Sequence, residues 1–237
     1  MRKLHNPFKL LTRGEWVLWI CSLIVVSMGN ILSGELSPIP LMATLIGATA
    51  LVFLARGDVW GQILSVVFSV LYGITAWTCR YWGEMITYLG MTLPMATLAV
   101  ISWMKNPFSG NDHSEVAIQK LHRRHVIHML LITTTVTLVL GYILYLLDTP
   151  NLGWSILSVT TSFLAAYLTW QRSSWYALAF ALNDIVLIIL WTLMSMSDLT
   201  YLPMVANFLC FFVNDMYGFV SWRKREVKQG ISRHRSK

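Results

Sequence analysis

Asn183 and Asp184 sit in the middle of a long apolar stretch, about where an amide and a carboxyl cost most to bury. Their neighbours at three- and four-residue steps are Tyr176, Phe180, Leu187 and Trp191, which gives one helical face with aromatics at both ends and polar groups between. Further along the chain Asn207, Phe211, Asn214 and Gly218 share a second such face, with Asp215 beside it. Gln62, Ser65, Ser69 and Tyr72 form a third, Glu84, Tyr88 and Thr92 a fourth, and Ser158, Thr161 and Ser162 a fifth. Amides offer paired donors and acceptors, and aromatic faces offer stacking surfaces. Together they suit a small ligand with a flat ring and several hydroxyls or an amide, such as a nucleoside-like molecule. Asp184 between aromatic residues further suits positive charge on that ring. The Ser and Thr positions read as hydrogen-bonding between helices. Asp215, nearer a membrane face, reads either as part of the site or as a partner for a basic residue. Catalysis has little to stand on: there is no phosphate-binding loop, no Gly-x-Ser-x-Gly and no His-Glu-x-x-His, so the expectation is a protein that is not an enzyme. His122, His125 and His128 recur three apart but lack acidic or Cys support, so no metal and no cofactor is expected.

The elements that must position these groups follow from composition. Of 237 residues 56% are apolar and 12% charged, half the charge of an ordinary soluble domain, about 25%. That excludes a soluble globular enzyme and a disordered chain. The expected class is an all-α polytopic membrane protein with spans at Trp16–Ser33, Leu41–Ala55, Trp60–Trp77, Trp82–Met104, Val126–Leu147, Leu152–Trp170, Trp175–Ser195 and Tyr201–Trp222. The first run reads as an uncleaved anchor. Gly34–Pro40, Arg56-Gly57-Asp58, Asp148-Thr149-Pro150-Asn151 and Ser197-Asp198 punctuate the runs. Cys21, Cys79 and Cys210 lie in different apolar stretches and read as small fillers.

Of the 18 Lys and Arg, all but Arg80 fall in the two terminal segments or in alternate loops. Eight spans with both termini in the cytoplasm explain this distribution. The net charge of +7 is then a topology signal and requires no nucleic acid.

An internal repeat is also visible. Ile101-Ser102-Trp103-Met104-Lys105 matches Val220-Ser221-Trp222-Arg223-Lys224, and the third and seventh spans both begin and end in Trp, with Arg56 and Arg172 ahead of them. Residues 41–104 and 152–222 thus read as two parallel three-helix bundles. Residues 126–147 form the linker helix and 16–33 an extra N-terminal helix. Residues 1–15 and 223–237 are basic cytoplasmic termini, and 105–125 a cytoplasmic loop. Pro94 and Pro203 are expected to interrupt the fourth and eighth helices.

The stretch Asn214-Asp215-Met216-Tyr217-Gly218-Phe219-Val220-Ser221-Trp222 resembles the Asn-x-x-Tyr-Gly-aromatic-x-x-Trp ending of PnuC-type nicotinamide riboside transporters. Tyr176 to Asn183 resembles their seventh span, and Tyr72-Gly73 with Tyr81-Trp82-Gly83-Glu84 through Met91 looks like the Gram-positive variant. The resemblance runs from about Gly14 to Lys224. It implies two three-helix bundles joined by one helix, related to the SWEET fold, in a homotrimer of the bacterial plasma membrane. It further implies uptake of nicotinamide riboside by facilitated diffusion, with trapping by a cytoplasmic kinase. Relatives carry thiamine or deoxynucleosides, and proton coupling through Asp184 is the rival mechanism. The implied ligand set is Asn183, Asn207, Asn214 and Gln62 as hydrogen-bonding groups, Tyr176, Phe180, Trp191, Tyr72 and Tyr88 around the ring, and Asp184 for charge. One departure concerns the Trp-x-x-Trp often found at the start of span 7. Here Trp175 is followed by Tyr176-Ala177-Leu178, so the stacking role passes to Tyr176 or Phe180.

Overall fold

A lipid interior leaves backbone N–H and C=O groups only one another as partners, so unbroken apolar runs become helices. The computed structural model, which describes residues 6–32, 38–78, 82–108 and 115–235, has eight helical spans long and apolar enough to cross a membrane. They are α1 (Arg13–Leu32), α2 (Pro38–Ala55), α3 (Val59–Thr78), α4 (Trp82–Ile86) continuing through a π-helical turn (Thr87–Thr92) into α5 (Leu93–Lys105), α6 (Arg123–Leu146), α7 (Leu152–Trp170), α8 (Tyr176–Ser195) and α9 (Leu202–Arg235). Two expectations need correction. Pro203 does not interrupt the last helix but starts it, at a position where a missing N–H costs nothing. That helix also runs on through the basic tail to Arg235 instead of ending at Trp222. Pro94 does mark a break, because it follows the π-helical turn directly. Cys79, Arg80, Tyr81 and the first part of the Gly34–Pro40 connector lie outside the described residues.

Helices α2, α3 and α4–α5 pack as one bundle and α7, α8 and α9 as a second, with α6 against α7 and α1 against α2 and α9. The bundles meet along two pairs, α2 with α9 and α5 with α7. Each pair joins the first helix of one bundle to the last helix of the other, as a two-fold-like repeat requires. Local geometry repeats too. Gly57 and Arg172 both adopt positive φ, at 70° and 56°, just after α2 and α7. At the first turn Gly57 N–H bonds Leu54 O (2.8 Å) and Asp58 N–H bonds Phe53 O (3.0 Å). At the second, Arg172 N–H bonds Thr169 O and Ser173 N–H bonds Leu168 O, both at 3.0 Å. This is the crossed pair of bonds that ends a helix with a left-handed residue.

Both turns lie at the end of the molecule that carries the chain termini, here the basic end. There Trp222 of α9 donates its indole N–H to Leu54 O of α2 (2.8 Å), and Trp103 of α5 donates to Thr169 O of α7 (2.9 Å). The two rings are fully buried and meet at a centroid distance of 5.4 Å. Each bundle thus satisfies a helix-end carbonyl of the other.

The segment after α5 crosses beneath both turns. Val116 N–H bonds Gly57 O (2.9 Å) and Gln119 N–H bonds Arg172 O (3.1 Å). Gln229 of α9 accepts from Ile118 N–H (2.8 Å) and donates to Val116 O (3.0 Å), while Arg225 pairs with Glu115. These bonds explain why α9 stays helical past the apolar run. Helix α1 starts with a reciprocal cap: Thr12 N–H donates to Glu15 Oε2 (2.7 Å) and Glu15 N–H to Thr12 Oγ1 (3.3 Å). The same carboxylate binds Arg56 at 2.7 Å, with both side chains shielded, and so fixes α1 to the end of α2.

The closest approach of α2 and α3 is at Gly61, where a Cβ would lie 2.5 Å from Leu54 N and 3.0 Å from Ala50 O. Backbone atoms cannot turn aside as a side chain does. Gly61→Ala is therefore expected to push the two helices apart and destabilise the protein by about 1–3 kcal/mol. Thermal unfolding of purified protein in detergent reads this, and an unchanged midpoint would contradict the packing.

Candidate functional site

A cavity of about 490 Å³ lies between the two bundles, within the range of small-molecule sites, about 300–1,000 Å³. At the far end it reaches Trp82, Thr149, Pro150 and Tyr201, and at its other limit Leu54, Gln62 and Asp215. Below that limit the fully buried Trp103, Trp222 and Tyr176 close the basic end.

One wall is aromatic. Tyr72 of α3 and Tyr88 of the π-helical turn face each other at 4.2 Å between centroids, and Phe68 lies 5.6 Å from the first and 5.8 Å from the second. Tyr72 donates its hydroxyl to Glu84 Oε2 at 2.9 Å. The widened turn presents Thr87, Tyr88 and Thr92 to one cavity, and π-helical turns recur at functional sites. The opposite wall, from α8, carries Phe180, Asn183, Asp184 and Trp191. Asn183 Oδ1 accepts from Thr161 Oγ1 (2.8 Å) and Ser162 Oγ (3.0 Å) on α7. Those two hydroxyls hold the amide with its Nδ2 donor turned away from α7. Gln62 Nε2 and Asp184 Oδ2 are buried without a hydrogen-bond partner. Such unpaired buried groups are expensive, and these two belong to residues that line the cavity.

The structure brings together Gln62, Tyr72, Tyr88, Phe180, Asn183, Asp184 and Trp191 from the expected set, and leaves three others out. Asn214 turns toward α1, where its Nδ2 donates to Ser22 Oγ (2.9 Å) and to Cys210 O (2.8 Å). Asn207 also faces α1, with its Oδ1 3.5 Å from where a Cβ on Gly29 would stand. The cavity side of α9 is instead Phe208, Phe211 and Asp215. Tyr176 lies below the cavity against Trp222, 4.7 Å between centroids. Among the described residues no basic side chain pairs with Asp215; its carboxyl lies within hydrogen-bonding reach of Asp184. Of the Ser and Thr positions, Thr161 and Ser162 do bond between helices, to Asn183, whereas Ser65, Ser69 and Ser158 donate to carbonyls of their own helices. Phe68, Thr87, Trp82 and Phe208 line the cavity without having been singled out. Phe68 was accessible by spacing, since it falls between Ser65 and Tyr72 on the same face. His122 and His125 rings approach at 5.8 Å, and among the described residues no cluster of three metal-ligating side chains occurs.

Comparison with known proteins gives a concordant result. Residues 37–224 match the family model described as nicotinamide mononucleotide transporter. The chain is 22% identical over 208 residues to the nicotinamide riboside transporter PnuC of Haemophilus influenzae, covering 88% of this chain and 89% of that one. It is 25% identical over 191 residues to the protein of the same name from Neisseria mucosa, covering 77% and 71%. A crystal structure of the vitamin B3 transporter PnuC superposes with a TM-score of 0.77 at 20% identity, over 92% of this chain and 94% of that one. With paired three-helix bundles around a central cavity, and a family match over most of its length, the chain belongs to the nicotinamide mononucleotide transporter family of multi-pass membrane proteins.

Proposed function

We propose that this protein carries nicotinamide riboside across the bacterial plasma membrane by facilitated diffusion, and that phosphorylation in the cytoplasm retains the product. The observation that carries this reading is the charge of the cavity. Glu84, Asp184 and Asp215 line it, and no Lys, Arg or His is among the described lining residues. A phosphate would meet like charge there, so the mononucleotide of the family's description is disfavoured against the unphosphorylated, cationic nucleoside. The aromatic residues Tyr72, Tyr88, Phe180 and Trp191 take the ring, Asn183 and Gln62 bond the ribose and carboxamide, and Asp184 complements the ring charge. The names of the Haemophilus and Neisseria relatives support the same substrate. The basic segments at one end of the bundle support cytoplasmic termini. A homotrimer is the expected assembly, with the exposed apolar faces of α1 and α6 available to lipid or to neighbouring subunits.

Purified protein in kinase-free liposomes tests the proposal by counterflow of labelled nicotinamide riboside, with thiamine and deoxyuridine as competitors. Equilibration without an imposed gradient, displaced only by unlabelled nicotinamide riboside, is the expected result. Entry of a competitor alone would overturn the substrate. Accumulation driven by a proton gradient would favour the rival reading, in which the Asp184–Asp215 pair carries a proton. Conversion of the label to free base and ribose would show an enzyme instead of a carrier.

A further inference from the structure

Asp184 and Asp215 come from different helices of the second bundle and line the same cavity at 4% and 6% exposure. Their carboxyl groups lie within hydrogen-bonding reach. A bond between two carboxyl groups needs at least one proton between them, so the pair carries at most a single negative charge, shared over two residues. Asp184 Oδ2 has no partner, and on α3, in the other bundle, neither has the buried Gln62 Nε2. The titratable groups facing the pair are Cys210 on α9, Tyr176 on α8 and Tyr88 in the π-helical turn, with Glu84 beyond it. None of these supplies a cation. Arg225, which acts on Tyr176 from the basic end, is paired with Glu115. A negative charge buried this way is uncompensated until a ligand brings a positive one.

We infer that Asp184, positioned by Asp215, is the element by which the cavity tells a positively charged ring from a neutral ring of the same shape. The inference rests on the proposed function, because it concerns how that same site selects its substrate. Asp184 touches the ligand in this account. Asp215 acts through Asp184, by holding its carboxyl group at the cavity wall.

Nicotinamide riboside and its reduced, neutral form differ by one hydride and one charge and are otherwise nearly isosteric. Equilibrium binding of both to detergent-purified protein measures charge preference directly. A second pair, the 1-methylnicotinamide cation and nicotinamide, carries the same contrast without ribose. The wild-type protein is expected to favour the cation of each pair by about tenfold or more. Asp184→Asn and Asp215→Asn are each expected to bring that ratio close to one. Glu226→Gln should keep it, because Glu226 lies outside the cavity, where it is engaged by Ser174 and Arg223. Because the ratio is taken within one variant, loss of folded protein lowers both signals and leaves it unmoved. Preference retained in both Asp variants, or erased by Glu226→Gln, overturns the inference. Equal wild-type binding of the two ribosides overturns it while leaving the substrate proposal standing. Failure of both ribosides to bind, with 1-methylnicotinamide still favoured over nicotinamide, supports charge reading and sinks the riboside substrate. Absence of binding by all four probes overturns both.

Discussion

Trp222→Ala should lower stability by about 3–5 kcal/mol, the usual cost of deleting a fully buried aromatic side chain. The ring has no solvent exposure, meets Trp103 at a tilt and Tyr176 edge to face, and gives its N–H to a carbonyl of the other bundle. Trp222→Phe keeps most of the packing and loses only that donor, so a smaller loss of about 1–3 kcal/mol is expected. The repeat makes a sharper statement, because Trp103 has the corresponding bond to Thr169 O. Trp103→Ala should therefore fall in the same range, and the double variant should cost less than the sum of the two, since the rings share one contact surface. Thermal unfolding in a single detergent, followed by intrinsic fluorescence and by light scattering, measures all four proteins. Strict additivity, or a Trp103 effect below about 1 kcal/mol, would show that the two contacts are not equivalent.

Asn183→Ala is expected to reduce transport by about 10- to 100-fold, from removal of a buried hydrogen-bonding group worth about 1–3 kcal/mol. Two costs combine. The ligand loses the Nδ2 donor, and the Thr161 and Ser162 hydroxyls lose their acceptor. Asn183→Asp separates them. It preserves an acceptor for both hydroxyls and removes the donor, while placing another carboxyl beside Asp184. Initial rates of nicotinamide riboside uptake into liposomes, corrected for reconstituted protein, give the comparison. If Asn183→Asp restores full transport, the donor is not used and Asn183 merely ties α8 to α7.

The spans were legible because unbroken apolar runs leave the backbone no choice in lipid, and the repeat was legible because its Trp residues mark helix ends. Rotation was harder. On α9 the Asn207/Asn214 stripe and the Phe208/Phe211/Asp215 stripe are both plausible cavity faces. The choice is made by α1, which supplies Ser22 as a partner for Asn214 and the Cβ-free surface of Gly29 beside Asn207. A polar stripe identifies a buried face but not which neighbour it is buried against. On α8 a single face carries the residues that line the cavity, yet Tyr176 lies at its end and falls below the cavity, since spacing fixes direction and not depth. The π-helical turn had no sequence signal beyond the proline that follows it. It rotates Tyr88 and Thr92 relative to a regular helix, and it brings Tyr88 to 4.2 Å from Tyr72.

The reciprocal tryptophan bonds also bear on flux. Two buried N–H···O contacts at the basic end weight the population toward the state closed at that end. A ligand arriving from the basic side binds only the minority state, so its apparent affinity is reduced by that state's fraction. For an uncoupled carrier at zero membrane potential the two directions are nevertheless bound by detailed balance: at equal concentrations net flux is zero, so Vmax/KM must be identical inward and outward. The asymmetry of the closure thus appears as unequal KM and Vmax that cancel in their ratio. Such a carrier has no direction of its own: for a cationic substrate the concentration difference and the membrane potential together set the sign of net flux.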